Sequence, residues 1–480
     1  MLAFDFLGLL SPRTRPRWPV TALLSLALGS AAAQGRIPPE VAAALKRANV
    51  PQDAITILVQ EAGNASRPRL SHRANVPVNP ASVMKLVSTF AALETLGPTF
   101  AWNTPVYIEG AVRDGTLYGT LYIKGQGDPW LVIERLWLLL RRVQGLGIKG
   151  IVGDVVLDRT AFETVASDPG EFDGERLRSY NAAPDALLLN FKSVLMTFVP
   201  DRASNLARVT FEPPLAGVQM QASVGLSDGF CNDYRAALRA DLSDPARIGF
   251  AGRFPASCGE KVWPLAYADP ASFAVRAIAG LWREMGGQFE GKVREGQVPA
   301  GAVPVFEFSS PPLAEVLRTI NKYSNNVMAQ QLFLTLSLQQ KGVGTLAGSR
   351  EVLQDWWRER FGADDAPRLD NGSGLSRTDR ISAQALMRLL QYAWASPLMP
   401  ELMSSLPISG LDGTLKPNRW RAQGHAHLKT GSLRDVMAVA GYVHALGGKR
   451  YVLVAIANHP NANAARPAIE ALVEWAMKDL

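Results

Sequence analysis

Three short groups of residues in this chain could do chemistry together. Ser82-Val83-Met84-Lys85, Ser324-Asn325-Asn326 and Lys429-Thr430-Gly431 read S-x-x-K, S-x-N and K-T-G, in that order along 480 residues. A serine hydroxyl is a poor nucleophile at neutral pH and needs a base beside it. Residues three apart on a helix share a face, so Lys85 can bring its amine to the Ser82 hydroxyl. An amine accepts a proton only when neutral, and a semi-buried position near a second cation, Lys429, lowers its pKa toward the working range. A helix N-terminus also leaves the Ser82 N–H free to donate to an oxyanion. Ser324 can relay a proton to a leaving amine, and Asn326 can bond a substrate amide. Ser324 would equally serve as the N-cap of the following helix, and both roles can hold at once. Lys429 supplies charge, and Thr430 and Ser432 supply hydroxyls, for a terminal carboxylate, while the Ser432 N–H offers a second oxyanion donor. Gly431 leaves room for close backbone approach. Each motif alone is weak; the three in order describe acyl transfer through a serine.

Local patterns say which elements must position these groups. Residues 55–60 read as a strand, with 69–74 as its partner across a polar turn. Pro80-Ala81-Ser82 opens a helix whose apolar face is Met84, Leu86, Val87, Phe90, Ala91 and Leu93, and Gly97-Pro98 ends it. Ser82 is thus expected in a first helical turn. From about 102 to 267 short alternating runs separated by Gly, Asp and Pro read as β structure, interrupted by one helix near 131–144. Helical pattern returns at 271–285, 313–321, 327–338 and 382–395. A closing β-meander follows at 424–430, 436–444 and 450–458, then a terminal helix from 465. Lys429 falls on the first strand of that meander, whose edge could bind an extended peptide by strand addition. The expected fold is α+β: a catalytic domain of antiparallel sheet and helices at 34–103 and 268–480, split by an accessory β-rich region at 104–267, in two nested pieces.

A chain of 480 residues with 47% hydrophobic and 19% charged residues has the composition of a globular protein of two or three domains. Arg13, Arg15 and Arg17 precede an apolar run from Val20 to Leu28 and the small residues Gly29 to Ala33. This pattern predicts a cleavable export signal over residues 1–33, cut after Ala33. The formal charge of +7 falls to about +5 without that leader, which suits an anionic envelope or membrane surface and permits peripheral association. No basic block or aromatic-basic repeat of the nucleic-acid type occurs. In an exported protein Cys231 and Cys258 most simply pair, with two separate buried thiols as the alternative. His425 and His427 alternate like a metal pair but lack a third ligand nearby, so no metal site is expected. The absence of a G-x-S-x-G elbow leaves a Ser-His-Asp hydrolase without support.

The ordered motif triple is shared by penicillin-binding proteins and class A β-lactamases. Over nearly all of the mature chain the sequence resembles the D-alanyl-D-alanine carboxypeptidase/endopeptidases of the penicillin-binding protein 4 type. Gly125-Gln126-Gly127-Asp128-Pro129 is similar to that family's G-G-D-P-type insertion motif. Tyr180-Asn181-Ala182-Ala183-Pro184 leading to Leu189-Asn190 resembles its Y-x-A-P…L-x-N segment. Asp370-Asn371-Gly372-Ser373-Gly374-Leu375-Ser376-Arg377 is close to its D-G-S-G-L-S-R stretch, with Asn371 extra or shifted. The resemblance implies a periplasmic transpeptidase-like enzyme that trims or cuts peptidoglycan stem peptides, is acylated by β-lactams, and uses no metal or organic cofactor. By motif match Ser82 would be the nucleophile and Lys85 the base, with Ser324 and Asn326 the second element and Lys429, Thr430 and Ser432 the binding strand. The Ser373-Gly374 stretch reads as structural. A serine β-lactamase is the first alternative, but class A enzymes carry S-x-N soon after the nucleophile, whereas about 240 residues intervene here, and Asp185 to Asn190 only loosely echoes E-x-x-L-N. A non-catalytic muropeptide-binding or β-lactam-sensing protein is the second, and the intact Ser82, Lys85 and Lys429 speak against it. Oligomeric state is not readable from the sequence.

Overall fold

The computed structural model describes residues 35–63, 67–163, 168–416 and 420–479. The expected leader and its cleavage point lie outside the described residues. The catalytic unit is built on a five-stranded antiparallel sheet in the order Ala426–Leu433, Val436–His444, Arg450–Asn458, Ile55–Glu61, Leu70–His72. Successive side chains of a strand point to opposite faces. On the second strand, Val436, Ala438, Ala440 and Tyr442 join the core under the helix that follows Ser82, while Met437, Val439 and Val443 join a core under the terminal helices. Burial on both faces is why these strands read as nearly unbroken apolar runs. Helices Pro39–Arg47 and Arg466–Met477 cover one face. The other face carries Lys85–Leu96, Leu313–Tyr323, Asn326–Lys341, Leu346–Phe361, Ala383–Ala395 and Met399–Ser405. The sequence reading contained neither Leu346–Phe361 nor Met399–Ser405.

The chain leaves this unit and returns to it at one point. The Ser310 N–H donates to the Trp102 carbonyl at 2.8 Å, and the Trp102 N–H donates to Ser310 Oγ at 3.0 Å. Strand Asn103–Arg113, just beyond, pairs antiparallel with Phe306–Ser309. The inserted region therefore runs from 103 to 309 and not only to 267. Helix Phe273–Glu284, expected in the catalytic unit, instead buries Phe273, Ala277, Ile278 and Leu281 in the inserted core. An amphipathic stripe shows that a helix packs, not which core receives it.

The insertion contains a seven-stranded mixed sheet, a five-stranded sheet and a three-stranded sheet, and helix Ile133–Gly145 stands where a helix was expected. One hydrophobic cluster runs through all three of these sheets. Cys231 and Cys258 are bonded, their Cα atoms 4.7 Å apart. Closing a loop of 27 residues stabilises the region by about 3–4 kcal/mol in the chain-entropy account.

Candidate active site

Ser82 sits in a 3₁₀ turn, Ala81–Met84, that runs directly into helix Lys85–Leu96. The turn is held from behind. Asn79 Oδ1 accepts from the Ala81 N–H at 2.9 Å, and Asn79 Nδ2 donates to the Ser376 carbonyl at 2.8 Å. Asn458 fixes Asn79 in turn, accepting from its N–H and donating to its carbonyl, each at 2.9 Å. Ala81 is fully buried with φ +48°, a left-handed backbone that costs a non-glycine residue about 1–2 kcal/mol and that this network sustains.

Lys85 is buried completely, and its Nζ has three neighbours: Ser82 Oγ at 3.0 Å, Asn326 Oδ1 at 2.7 Å and the Ser373 carbonyl at 2.5 Å. The two amide oxygens can only accept. A neutral amine that donates to both of them has its lone pair left for the third direction, which is Ser82. Burial first, and then the charge of Lys429, hold the Lys85 amine well below the usual lysine range, while Asp379 acts in the opposite sense. The arrangement has the geometry and the protonation bias that a general base requires.

Helix Leu313–Tyr323 ends on Ser324, which adopts a left-handed conformation at φ +57°. The N-cap of the next helix is Asn325, whose side chain accepts from the Met328 N–H, so Ser324 is a C-cap and not the N-cap that the sequence allowed. The left-handed turn separates the two side chains. Ser324 Oγ accepts from Lys429 Nζ at 2.9 Å, while Asn326 reaches Lys85. Lys429 is also fully buried, donates to its neighbour's carbonyl at Thr430 at 2.7 Å, and is brought down by burial to about 7.

Strand Ala426–Leu433 is the edge of its sheet. The Leu428 N–H donates to the Pro407 carbonyl, away from the neighbouring strand. By the two-residue period the Thr430 and Ser432 N–H groups face the same open side. The strand passes hard against the nucleophile turn: a Cβ on Gly431 would lie 2.5 Å from the Pro80 carbonyl and 3.1 Å from the Ser82 nitrogen. The Ser82 and Ser432 N–H groups thus border one space. Thr430 Oγ1 hydrogen-bonds Thr414 Oγ1 at 2.7 Å, and the exposed Ser432 hydroxyl donates to Asn463 Oδ1 at 3.1 Å. All seven residues singled out in the three motifs and at Ser432 converge on this corner.

The corner opens into a cleft of about 750 Å³ that also carries Phe172, Asp173 and Tyr180 from the insertion and Arg377 and Arg434 from the catalytic unit. Asp173 accepts from Tyr180 Oη and Asn181 Nδ2, each at 2.8 Å; the Arg377 guanidinium lies 4.6 Å from the Phe172 ring centroid and donates to Asp435 at 2.9 Å. Sequence reasoning assigned none of these a role. The only available signal was that Tyr180 and Arg377 fall within quoted family segments. Asp185, the loose echo of a β-lactamase acid, lies in the insertion, engaged by Lys192 at 2.9 Å and Arg159 at 3.5 Å, and does not line the cleft. His425 is spent on the His444 carbonyl at 3.2 Å, and the His427 and His444 rings pack edge to face.

The sequence pattern of the D-Ala-D-Ala carboxypeptidase 3 (S13) family matches residues 38–479. The chain belongs to that family. As an S13 member it is a serine-type D-Ala-D-Ala carboxypeptidase, of the penicillin-binding protein 4 type that the sequence resembled. It is 29% identical over 391 residues to a D-alanyl-D-alanine carboxypeptidase of Actinomadura sp. (strain R39), covering 76% of this chain and 70% of the relative. The D-alanyl-D-alanine carboxypeptidase DacB of Haemophilus influenzae is 26% identical over 388 residues, covering 79% and 80%. The crystal structure of penicillin binding protein 4 (dacB) from Haemophilus influenzae superposes with a TM-score of 0.71 at 22% identity, covering 90% of this S13 chain and 99% of that one. The same protein complexed with a β-lactam gives 0.67 at 21% identity, with the same coverage. The α+β, transpeptidase-type fold expected from the sequence is the fold found.

Proposed function

We propose that this chain cleaves the D-Ala-D-Ala termini, and the D-Ala–diaminopimelate cross-links, of peptidoglycan stem peptides through an acyl-enzyme on Ser82. The observation that carries the reading is the buried Lys85 amine, 3.0 Å from Ser82 Oγ, with its other two contacts confined to acceptors. Ser82 Oγ attacks the penultimate D-Ala carbonyl as Lys85 takes its proton. The Ser82 and Ser432 N–H groups receive the developing oxyanion, the term that contributes most to such reactions. The departing amine receives that proton through Ser324, which is hydrogen-bonded to Lys429, and Lys85 is left neutral. Lys429, Thr430 and Ser432 hold the carboxylate of the leaving D-amino acid, and the stem lies along the open strand edge. Water then hydrolyses the ester, with Lys85 again the base. β-Lactams, which present a strained amide and a carboxylate, would acylate the same serine. The export signal expected over residues 1–33 supports a periplasmic location, where such a substrate lies.

The test is a penicillin challenge of the mature protein followed by intact mass over time, with Ser82→Ala alongside. A lasting adduct of one penicilloyl group, absent from the variant, is the expected result. Rapid drug hydrolysis without an adduct would make the protein a β-lactamase. No reaction at all would leave a muropeptide-binding protein.

A further inference from the structure

One buried acid near the site has no part in the steps above. Asp379 is fully buried. Its Oδ1 accepts from the Asp370 N–H at 2.7 Å, and its Oδ2 is buried without any hydrogen-bond partner. That bond ties the two ends of the segment 370–379, which wraps behind the nucleophile helix. Its inner carbonyls are spent on that helix: Ser373 on Lys85 Nζ at 2.5 Å, Gly372 on Ser88 Oγ at 2.7 Å. Within the segment Asn371 accepts from the Ser373 N–H at 3.1 Å and from its hydroxyl at 2.7 Å. From outside, Arg350 grips Asp370 by its carbonyl and its carboxylate, each at 2.7 Å.

A buried carboxylate oxygen with no donor is costly, and a fold keeps one where it serves another group. We propose that Asp379 is a positioning residue for the reaction: it closes the segment that presents the Ser373 carbonyl to Lys85, and it is the counter-charge to the buried Lys85 amine. This rests on the reading of Lys85 as the base. The ionisable groups that act on Asp379 are Asp370, Lys85 and Arg350, and its neighbour Arg380 bonds its backbone carbonyl at 2.7 Å. The groups that act on Lys85 are Lys429 and Asp379. Burial above all pushes the Asp379 carboxyl up to about 7. As pH rises through that value Asp379 gains charge, and a negative charge beside Lys85 holds the proton on the amine. The two titrations are therefore coupled, and the rise of acylation with pH is spread by the pair.

Asp379→Asn keeps the acceptor for the Asp370 N–H but cannot ionise. The acylation rate by a reporter penicillin, each profile scaled to its own plateau, should then reach half-maximum at lower pH than in the parent, over a single-proton limb. Asp379→Ala, which also frees the Asp370 N–H, should share that shift and lose about tenfold in the plateau through misplacement of the carbonyl. Scaled profiles of parent and Asn variant that coincide would overturn the proposal, since a merely structural carboxylate lowers the plateau without moving the limb. A second readout needs no activity. A carboxyl whose folded pKa is raised from 3.8 to about 7 contributes stability that is complete below 3.8 and lost as pH rises through about 7. The melting temperature of Asp379→Asn relative to the parent should therefore climb between about pH 4 and about 7 and level off above that. A flat difference would show an ordinary carboxylate and sink the charge argument even if the parent forms no acyl-enzyme.

Discussion

Gly374→Ala tests how closely the segment behind the nucleophile is built against it. Gly374 has φ +77°, where an alanine costs about 1–2 kcal/mol for its backbone alone. The added Cβ would stand 2.1 Å from the Ala81 carbonyl oxygen and 2.8 Å from the Ser82 Cα. Optimal carbon contacts lie near ~3.5–4.0 Å, so backbone must move by the order of 1 Å. The atoms in the way are themselves backbone, in a turn that Asn79 pins, and overpacking of this kind adds about 1–3 kcal/mol. The total is about 2–5 kcal/mol of stability. Because either Ser82 or the Ser373 carbonyl must shift, acylation should fall by about 100-fold. The matched control is Gly342→Ala, with φ +82° and nothing within 4 Å of its Cβ, which should cost only about 1 kcal/mol and leave kinetics unchanged. Thermal unfolding and acylation rates on both variants decide the matter. A Gly374→Ala protein that behaves like Gly342→Ala would refute the claim that this contact fixes the nucleophile.

Two further outcomes follow from the same geometry. Lys429 lowers the Lys85 pKa through its charge, so Lys429→Met should move the acidic limb of acylation to higher pH, opposite to Asp379→Asn; an unmoved limb in the scaled profile would remove Lys429 from the electrostatics of the base. Gln331 is fully buried on the helix that begins at Asn326, donating to the Asp185 and Gly127 carbonyls and accepting from the Asp185 N–H. Gln331→Leu should cost about 2–4 kcal/mol by orphaning those groups, seen as a lower denaturant midpoint, and a neutral result would mean that water replaces the amide.

The candidate site was legible as a constellation because its proposed chemistry is carried by side chains at fixed short spacings. Ser82 and Lys85 need one helical turn, and Lys429 and Thr430 need one strand edge, so local pattern sufficed. The Ser373 carbonyl was not legible, since a backbone acceptor has no residue type of its own. Asp379 lies six residues further on, in a segment whose value is its path through space. Ser324 stands between its helices but as a C-cap and not the N-cap that serine suits, and the partner of its hydroxyl, Lys429, is 105 residues away. Nearly unbroken apolar runs marked the strands of the meander, which pair with their neighbours in sequence. The end of the insertion escaped because Phe306–Ser309 pairs with a strand some two hundred residues earlier, and no local pattern reports that distance.

The nearness of Trp102 to Ser310 has a consequence for anyone who would engineer a minimal enzyme. A cut-and-join at these two residues needs only a short turn of about two residues, since they already exchange hydrogen bonds at the base of an antiparallel pair. What it uncovers is the helix that starts at Asn326. Leu334 packs on Phe162 and Ala186, Val327 packs on Ala182 and Leu188, and Gln331 bonds Gly127 and Asp185, all partners that lie within the excised stretch. A shortened chain would therefore present a greasy stripe on the element that carries the second catalytic motif. Polar residues at 327 and 334 would have to accompany the deletion, and without them the graft would be an aggregation-prone protein whose active corner is geometrically intact.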